Sequence, residues 1–274
     1  MFRNFCLIIV LSIVFLRAQS EIIYFPDDLN VQPFTANILE PKLGFLFQVG
    51  DDELRLDIGN SIDAVRINKS DNETMALGFD LFTYTLLRGE NDFHFPVDAV
   101  DYLFGLNFSY KKTIDENEYG VRVRLSHISA HFVDGHFDNT TNQWVDEQPP
   151  RVYSREFIEI FPFYKFNDVR VYAGFTYLWH VDPQDLGKDN YNIGFDYFNS
   201  EISEIFSPFI AYDLKVVNLD EYTTNHSIAA GLKFGNVFGR GVSIYYNYYF
   251  GKSIHGEYYD FDRTFSAIGI NLDL

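Results

Sequence analysis

From Lys42 onward, apolar residues alternate with polar or small ones. That is the period of strands facing two different environments. In the C-terminal segment, Ile268, Ile270, Leu272 and Leu274 fall on one side, and Ala267, Gly269, Asn271 and Asp273 on the other. Val242, Ile244, Tyr246, Tyr248 and Phe250 form a similar face opposite Ser243 and Asn247. About twelve strands follow, near 42–48, 53–67, 74–88, 98–112, 118–131, 151–166, 168–180, 189–199, 206–217, 225–236, 241–251 and 263–274. Several approach the roughly 9–11 residues that a tilted strand needs to cross a bilayer. Their polar faces carry Asp101, Lys111, Arg170, Asp213 and Lys215. Such charges are costly in a soluble sandwich core and ordinary in the lumen of a membrane barrel. The connections 69–73, 113–117, 167 and 237–240 are short, and 200–205 is moderate. The connections 89–97, 132–150, 181–188, 218–224 and 252–262 are mostly longer and polar. Alternating loop lengths and an even strand number predict an all-β fold, a transmembrane antiparallel up-and-down β-barrel over 42–274.

The N-terminus departs from this pattern. Arg3, the apolar run 5–16 and the small-x-small site Ala18-Gln19-Ser20 read as a secretory signal over 1–20. Residues 21–41 hold Pro26, Pro33 and Pro41 without alternation, and are expected to form a periplasmic lead-in. Beyond the signal no apolar run is long enough for a membrane helix, so a chain that spans a membrane must do so as a closed barrel. The expected destination is the bacterial outer membrane. Aromatic residues make up 18% of the chain, which suits interfacial girdles. The only cysteine, Cys6, lies in the signal, so the exported chain has no disulfide. The formal charge is −18, which argues against a nucleic-acid partner and leaves outer-membrane lipids as the expected one. No cofactor is expected. A soluble secreted sandwich or lipocalin-like barrel would show a mostly polar outer face, and ranks last.

One strand carries candidate chemistry. In 120–134, Val121, Val123, Leu125, His127, Ser129 and His131 share a face, and Arg122, Arg124, Ser126, Ile128 and Ala130 share the other. His127 and Ser129 therefore continue a lipid-facing stripe. Residues i and i+2 lie roughly 6.6 Å apart along a strand, a gap that an imidazole can close. His127 is then a candidate general base and Ser129 a candidate nucleophile. Glu156 on the next strand is the candidate third group, provided that it faces outward. Phe157, Phe161 and Phe163 on the alternate face leave that facing open. A plainer reading places His127 and Ser129 in the polar interface band. A metal site from His127, His131, Asp134 and His136 is a further reading, disfavoured because His131 and His136 are placed in a loop. Arg122 and Arg124 are expected to point inward and pair with Asp101 or Glu159. With Tyr172 and Phe209 they would fill a lumen too narrow for a wide pore.

His127-Ile128-Ser129 resembles the H-x-S element of outer-membrane phospholipase A and of the outer-membrane lipid A deacylase; Ala130 stands where those families usually carry Asn. That resemblance implies outward-facing His and Ser, a triad completed from the neighbouring strand, and a serine esterase or deacylase of membrane lipid. The longer run 124–131, with Asp134, Tyr153-Ser154-Arg155-Glu156-Phe157 and the upstream 95–102, resembles a family of uncharacterised bacterial outer-membrane barrels. It implies location and fold. The alternative to a hydrolase is a non-enzymatic structural, adhesive or binding barrel.

Overall fold

The computed structural model describes residues 20–90, 94–237 and 239–273; the expected signal up to Gln19 and Leu274 lie outside them. Its strands are β1 (Glu21–Tyr24), β2 (Leu43–Gln48), β3 (Glu53–Ser70), β4 (Glu73–Arg88), β5 (Val97–Ile114), β6 (Asn117–Phe132), β7 (Phe137–Asp138), β8 (Gln143–Trp144), β9 (Tyr153–Phe166), β10 (Val169–Asp182), β11 (Asp189–Phe198), β12 (Phe206–Asn218), β13 (Tyr222–Gly235), β14 (Gly241–Lys252) and β15 (Asp262–Asp273). Every neighbouring pair is antiparallel, β15 pairs with β2, and β3 with β4 completes the ring. The twelve barrel strands are β2–β6 and β9–β15. The small hairpin β7–β8 decorates one outer loop.

The turns between β5 and β6 and between β9 and β10 are two residues long, with Asp115 and Asn167 at positive φ (54° and 50°). That backbone matches the right-handed twist of the strands they join, and Asp and Asn tolerate it best after glycine.

The alternation places polarity on the inside. Leu81, Leu106, Leu125, Ile193 and Ile268 are exposed on the outer surface, whereas Arg55, Asp80, Asn107, Arg124, Glu159, Asp196 and Asp213 are buried within. A soluble core would reverse this. Charges stay inside because they satisfy one another. Arg55 Nε lies 2.6 Å from Asp57, Arg124 Nε 2.7 Å from Glu159, and Arg170 Nε 2.8 Å from Asp196. Of the expected pairings, Arg124 meets Glu159, whereas Arg122 turns to Glu40 and Asp101 to His255.

The segment 21–41, expected as a periplasmic lead-in, packs against and into the barrel. β1 extends the sheet along β3, from Glu21↔Asn68 to Tyr24↔Val65. Residues 30–40 then enter the lumen. Phe34 is fully buried, with its ring centroid 4.1 Å from Tyr172 and 5.2 Å from Phe161. The guanidiniums of Arg122 and Arg170 lie 4.8 and 4.7 Å from the same ring. Prolines keep this stretch out of regular strands, so its carbonyls are free to accept from lumen arginines. Arg170 donates to the carbonyls of Gln32 and Pro33 (2.8 and 2.6 Å), and Arg55 to that of Ile38 (2.9 Å). Gly174 makes room for the arrangement: a Cβ there would fall 2.4 Å from the Phe161 ring.

The other mouth is covered by loops. Tyr258 is buried and donates to Asp98 (2.9 Å), and Gly256 N donates to Asp101 (2.7 Å). His136, expected in a mobile loop, is fully buried: its Nδ1 meets Asp98 at 2.7 Å and its Nε2 donates to the Gln148 carbonyl at 2.6 Å. It points away from the outer face that carries His127, so the four-residue metal grouping is not assembled.

Candidate functional site

β6 lies between β5 and β9, and the register sets its outward residues in horizontal rows. Leu125 stands opposite Leu106 on β5 and Ile158 on β9, which in turn faces Tyr177 on β10. This row is apolar apart from one phenol. One step nearer the outer mouth, His127 stands between Phe104 and Glu156, and Glu156 faces His180. One step further, Ser129 stands between Tyr102 and Ser154. The polar cluster thus begins where the apolar band ends, beside Tyr102 and Trp179, both exposed on the outer surface.

Glu156 faces outward, beside His127. Its alternate neighbours Arg155, Phe157 and Phe161 are buried inside. The Phe residues made the facing ambiguous in the sequence because this part of the lumen wall is itself apolar. Phe157 packs in a cluster with Phe82, Tyr84, Ile128 and Leu178, and Phe161 against Phe34.

His127 Nδ1 lies 2.7 Å from Glu156 Oε1, with both side chains partly shielded. A carboxylate accepts, so Nδ1–H donates, and a neutral ring then carries its lone pair on Nε2. Phe104 flanks the imidazole, with ring centroids 4.9 Å apart. Ser129 is partly exposed on the same face two residues along. Among the described residues no hydrogen bond joins it to His127.

A member of the cluster that the sequence did not reveal is His180. Strict alternation on β10 would point it into the lumen with Thr176 and Leu178. Instead the β9–β10 register shifts between Leu178 and His180, and Trp179 and His180 are both exposed outside. A bulge adds one residue to a strand and re-aims the side chains beyond it. It brings His180 Nδ1 into ion-pair contact with Glu156 Oε2, an oxygen that accepts no hydrogen bond, and His180 Nε2 to 3.5 Å from Asp182. The sequence signal for this break is the adjacent pair Trp179-His180 at the strand's outer end.

The arrangement has the parts of a base-activated hydroxyl: an oriented imidazole, a carboxylate that orients it, and a serine one row away on the lipid-facing side.

The outer membrane phospholipase A from Escherichia coli has a similar fold, with a TM-score of 0.57 and 15% sequence identity over 88% of this chain and 93% of that one. The CymD monoaromatic hydrocarbon channel aligns with a TM-score of 0.41 and 8% identity, over 85% of this chain and 77% of that one. The likeness to the phospholipase shows that the chain has the fold of an outer-membrane β-barrel. No curated protein matches it. Residues 99–273, which include His127, Ser129, Glu156 and His180, match the model of a protein family of unknown function, DUF1207, and the chain belongs to that family.

Proposed function

We propose that this protein is a serine-type esterase of membrane lipid, seated in the bacterial outer membrane with its reactive row at the outer edge of the hydrocarbon. The observation that carries the reading is the outward-facing His127–Glu156 hydrogen bond of 2.7 Å, made across directly paired strand positions with Ser129 two residues along. A polar cluster facing lipid is expensive unless it has a use. Ser129 Oγ attacks the ester carbonyl of a phospholipid or lipid A acyl chain while His127 Nε2 takes the hydroxyl proton. Collapse of the tetrahedral adduct breaks the C–O bond, and the imidazolium gives its proton to the leaving alkoxide. Water, deprotonated by the same nitrogen, then releases the fatty acid from Ser129. Glu156 holds the tautomer and balances the imidazolium charge. The test is acyl release from outer-membrane phospholipid and lipid A by refolded protein, wild type beside Ser129→Ala and His127→Ala. Loss of roughly 10³-fold or more in both variants is expected. No release from either lipid by protein shown to be folded would end the hydrolase reading.

A second reading, a non-enzymatic structural or binding barrel, is favoured by one observation: Ser129 makes no hydrogen bond with His127 among the described residues. On that reading the row is part of the polar interface band, and the Ser129→Ala variant changes nothing in lipid composition.

A further inference from the structure

Between the N-terminal segment and the outer loops lies an internal cavity of about 70 Å³. Ile38 and Leu39 form its floor, Ile254 and Tyr259 its roof, and Arg155 on β9 and Lys215 on β12, three strands along the sheet, line its wall. Most of the cations around these two are paired. Arg124, Arg122 and Arg170 each have a carboxylate partner, and Lys252, also on this cavity, lies 2.8 Å from Asp262. Arg155 is only 8% exposed, yet its Nε and Nη2 are buried without a hydrogen-bond acceptor among the described residues, and its guanidinium lies 4.5 Å from the Tyr153 ring. Lys215 has no carboxylate within ion-pair distance among the described residues. The acids nearby are committed elsewhere. Glu159 is held by Arg124 and Thr176, and Asp213 accepts from Tyr172 (2.9 Å) and Asn192 (3.0 Å).

A buried guanidinium with idle N–H groups is costly, because its desolvation is not repaid by a partner. The cost is removed if something negative occupies the space in front of it. Arg presents a planar fork that suits a two-oxygen acceptor, and Lys a mobile point charge that completes the neutralisation. The cavity admits a small group and no acyl chain. We propose that this cavity is a binding site for a small oxyanion, a carboxylate or phosphate, held by Arg155 and Lys215 and independent of the outward-facing row on the other side of the same wall.

The test uses the full exported chain refolded in a zwitterionic detergent. Its thermal unfolding is followed by circular dichroism in chloride, phosphate and acetate at equal ionic strength. An anion that binds the folded state alone raises the midpoint as its concentration passes the dissociation constant. Wild type is expected to gain a concentration-dependent rise over chloride in phosphate, acetate or both. One anion alone identifies the chemistry; both establish a general oxyanion site. Arg155→Met and Lys215→Met should each lose the rise, while Arg155→Met unfolds at the same or a higher temperature than wild type in chloride. If Arg155→Met fails to fold, Lys215→Met, at the less buried position, decides the matter. An equal midpoint in all three salts for wild type, or the same rise in Lys215→Met, overturns the proposal.

Discussion

Glu156 lies between two imidazoles. One donates through a proper hydrogen bond, and the other touches the remaining oxygen without one. The two contacts should therefore differ in what they contribute. Replacing Glu156 with Gln keeps an acceptor for His127 Nδ1 but removes the charge that balances an imidazolium, so kcat for acyl release should fall by roughly 10²–10⁴-fold with KM little changed. His180→Ala leaves the His127–Glu156 bond in place and should cost less than about tenfold. If the His180 variant lost as much as the Glu156 variant, His180 would be the partner that matters, and the assignment of His127 as base would have to be exchanged. At this scale the sequence was partly legible. His127 and Ser129 are visible because a simple two-residue period carries them onto an apolar stripe. The facing of Glu156 was not, since Phe157, Phe161 and Phe163 gave the opposite face an apolar character, which is explained by an apolar patch of the lumen wall around Phe157 and by the buried N-terminal segment around Phe161 and Phe163. His180 was hidden by a one-residue bulge, which a strict period cannot anticipate.

The N-terminal segment is the element whose role the sequence concealed. Three prolines and no alternation mark residues 25–41 as non-strand but miss β1, and nothing in that pattern shows what the segment packs on. Its binding partners are inward arginines, which periodicity places in the lumen; the carboxylates expected for them account for Arg124, paired with Glu159, and not for Arg122, which turns to Glu40. Phe34 is the centre of the contact, with Phe161, Tyr172, Arg122 and Arg170 around it. Truncation to Ala should lower stability by about 3–5 kcal/mol through the cavity left behind and the lost ring contacts. Gly174→Ala should cost about 1–3 kcal/mol, because its Cβ would push into the Phe161 ring and disturb the same cluster from the wall side. Both are read by denaturant unfolding of the liposome-inserted protein. A Phe34→Ala variant as stable as wild type would mean that the segment does not occupy the lumen in a membrane. The barrel strands themselves were legible apart from the bulge in β10. Their alternation is enforced by two solvents, lipid outside and a hydrogen-bonded interior within, and a slip of one residue would invert every side chain.

For the molecule as a whole, the decisive question is where the reactive row sits relative to the bilayer. A lipid hydrolase needs its serine at the level of the ester linkages, just above the hydrocarbon, and the row positions fix that level relative to the apolar belt. Leu106, 57% exposed, belongs to the apolar row directly beneath His127, and Ser129 lies one row above it. Arginine on the lipid face of a barrel costs about 2–4 kcal/mol at the midplane and about 0–1 near the interface. Leu106→Arg should therefore lose measurably more stability than Ser129→Arg when both are unfolded from the same lipid vesicles. Ser129 suits the comparison because its side chain makes no hydrogen bond among the described residues, so its substitution reports depth and little else. A smaller loss at 129 than at 106 sets the row at the interface, where an ester carbonyl can reach it. An equal and large loss at both would bury the row in hydrocarbon, below the esters of either lipid class. The His127–Glu156 pair would then be a structural contact, whatever its resemblance to a catalytic one.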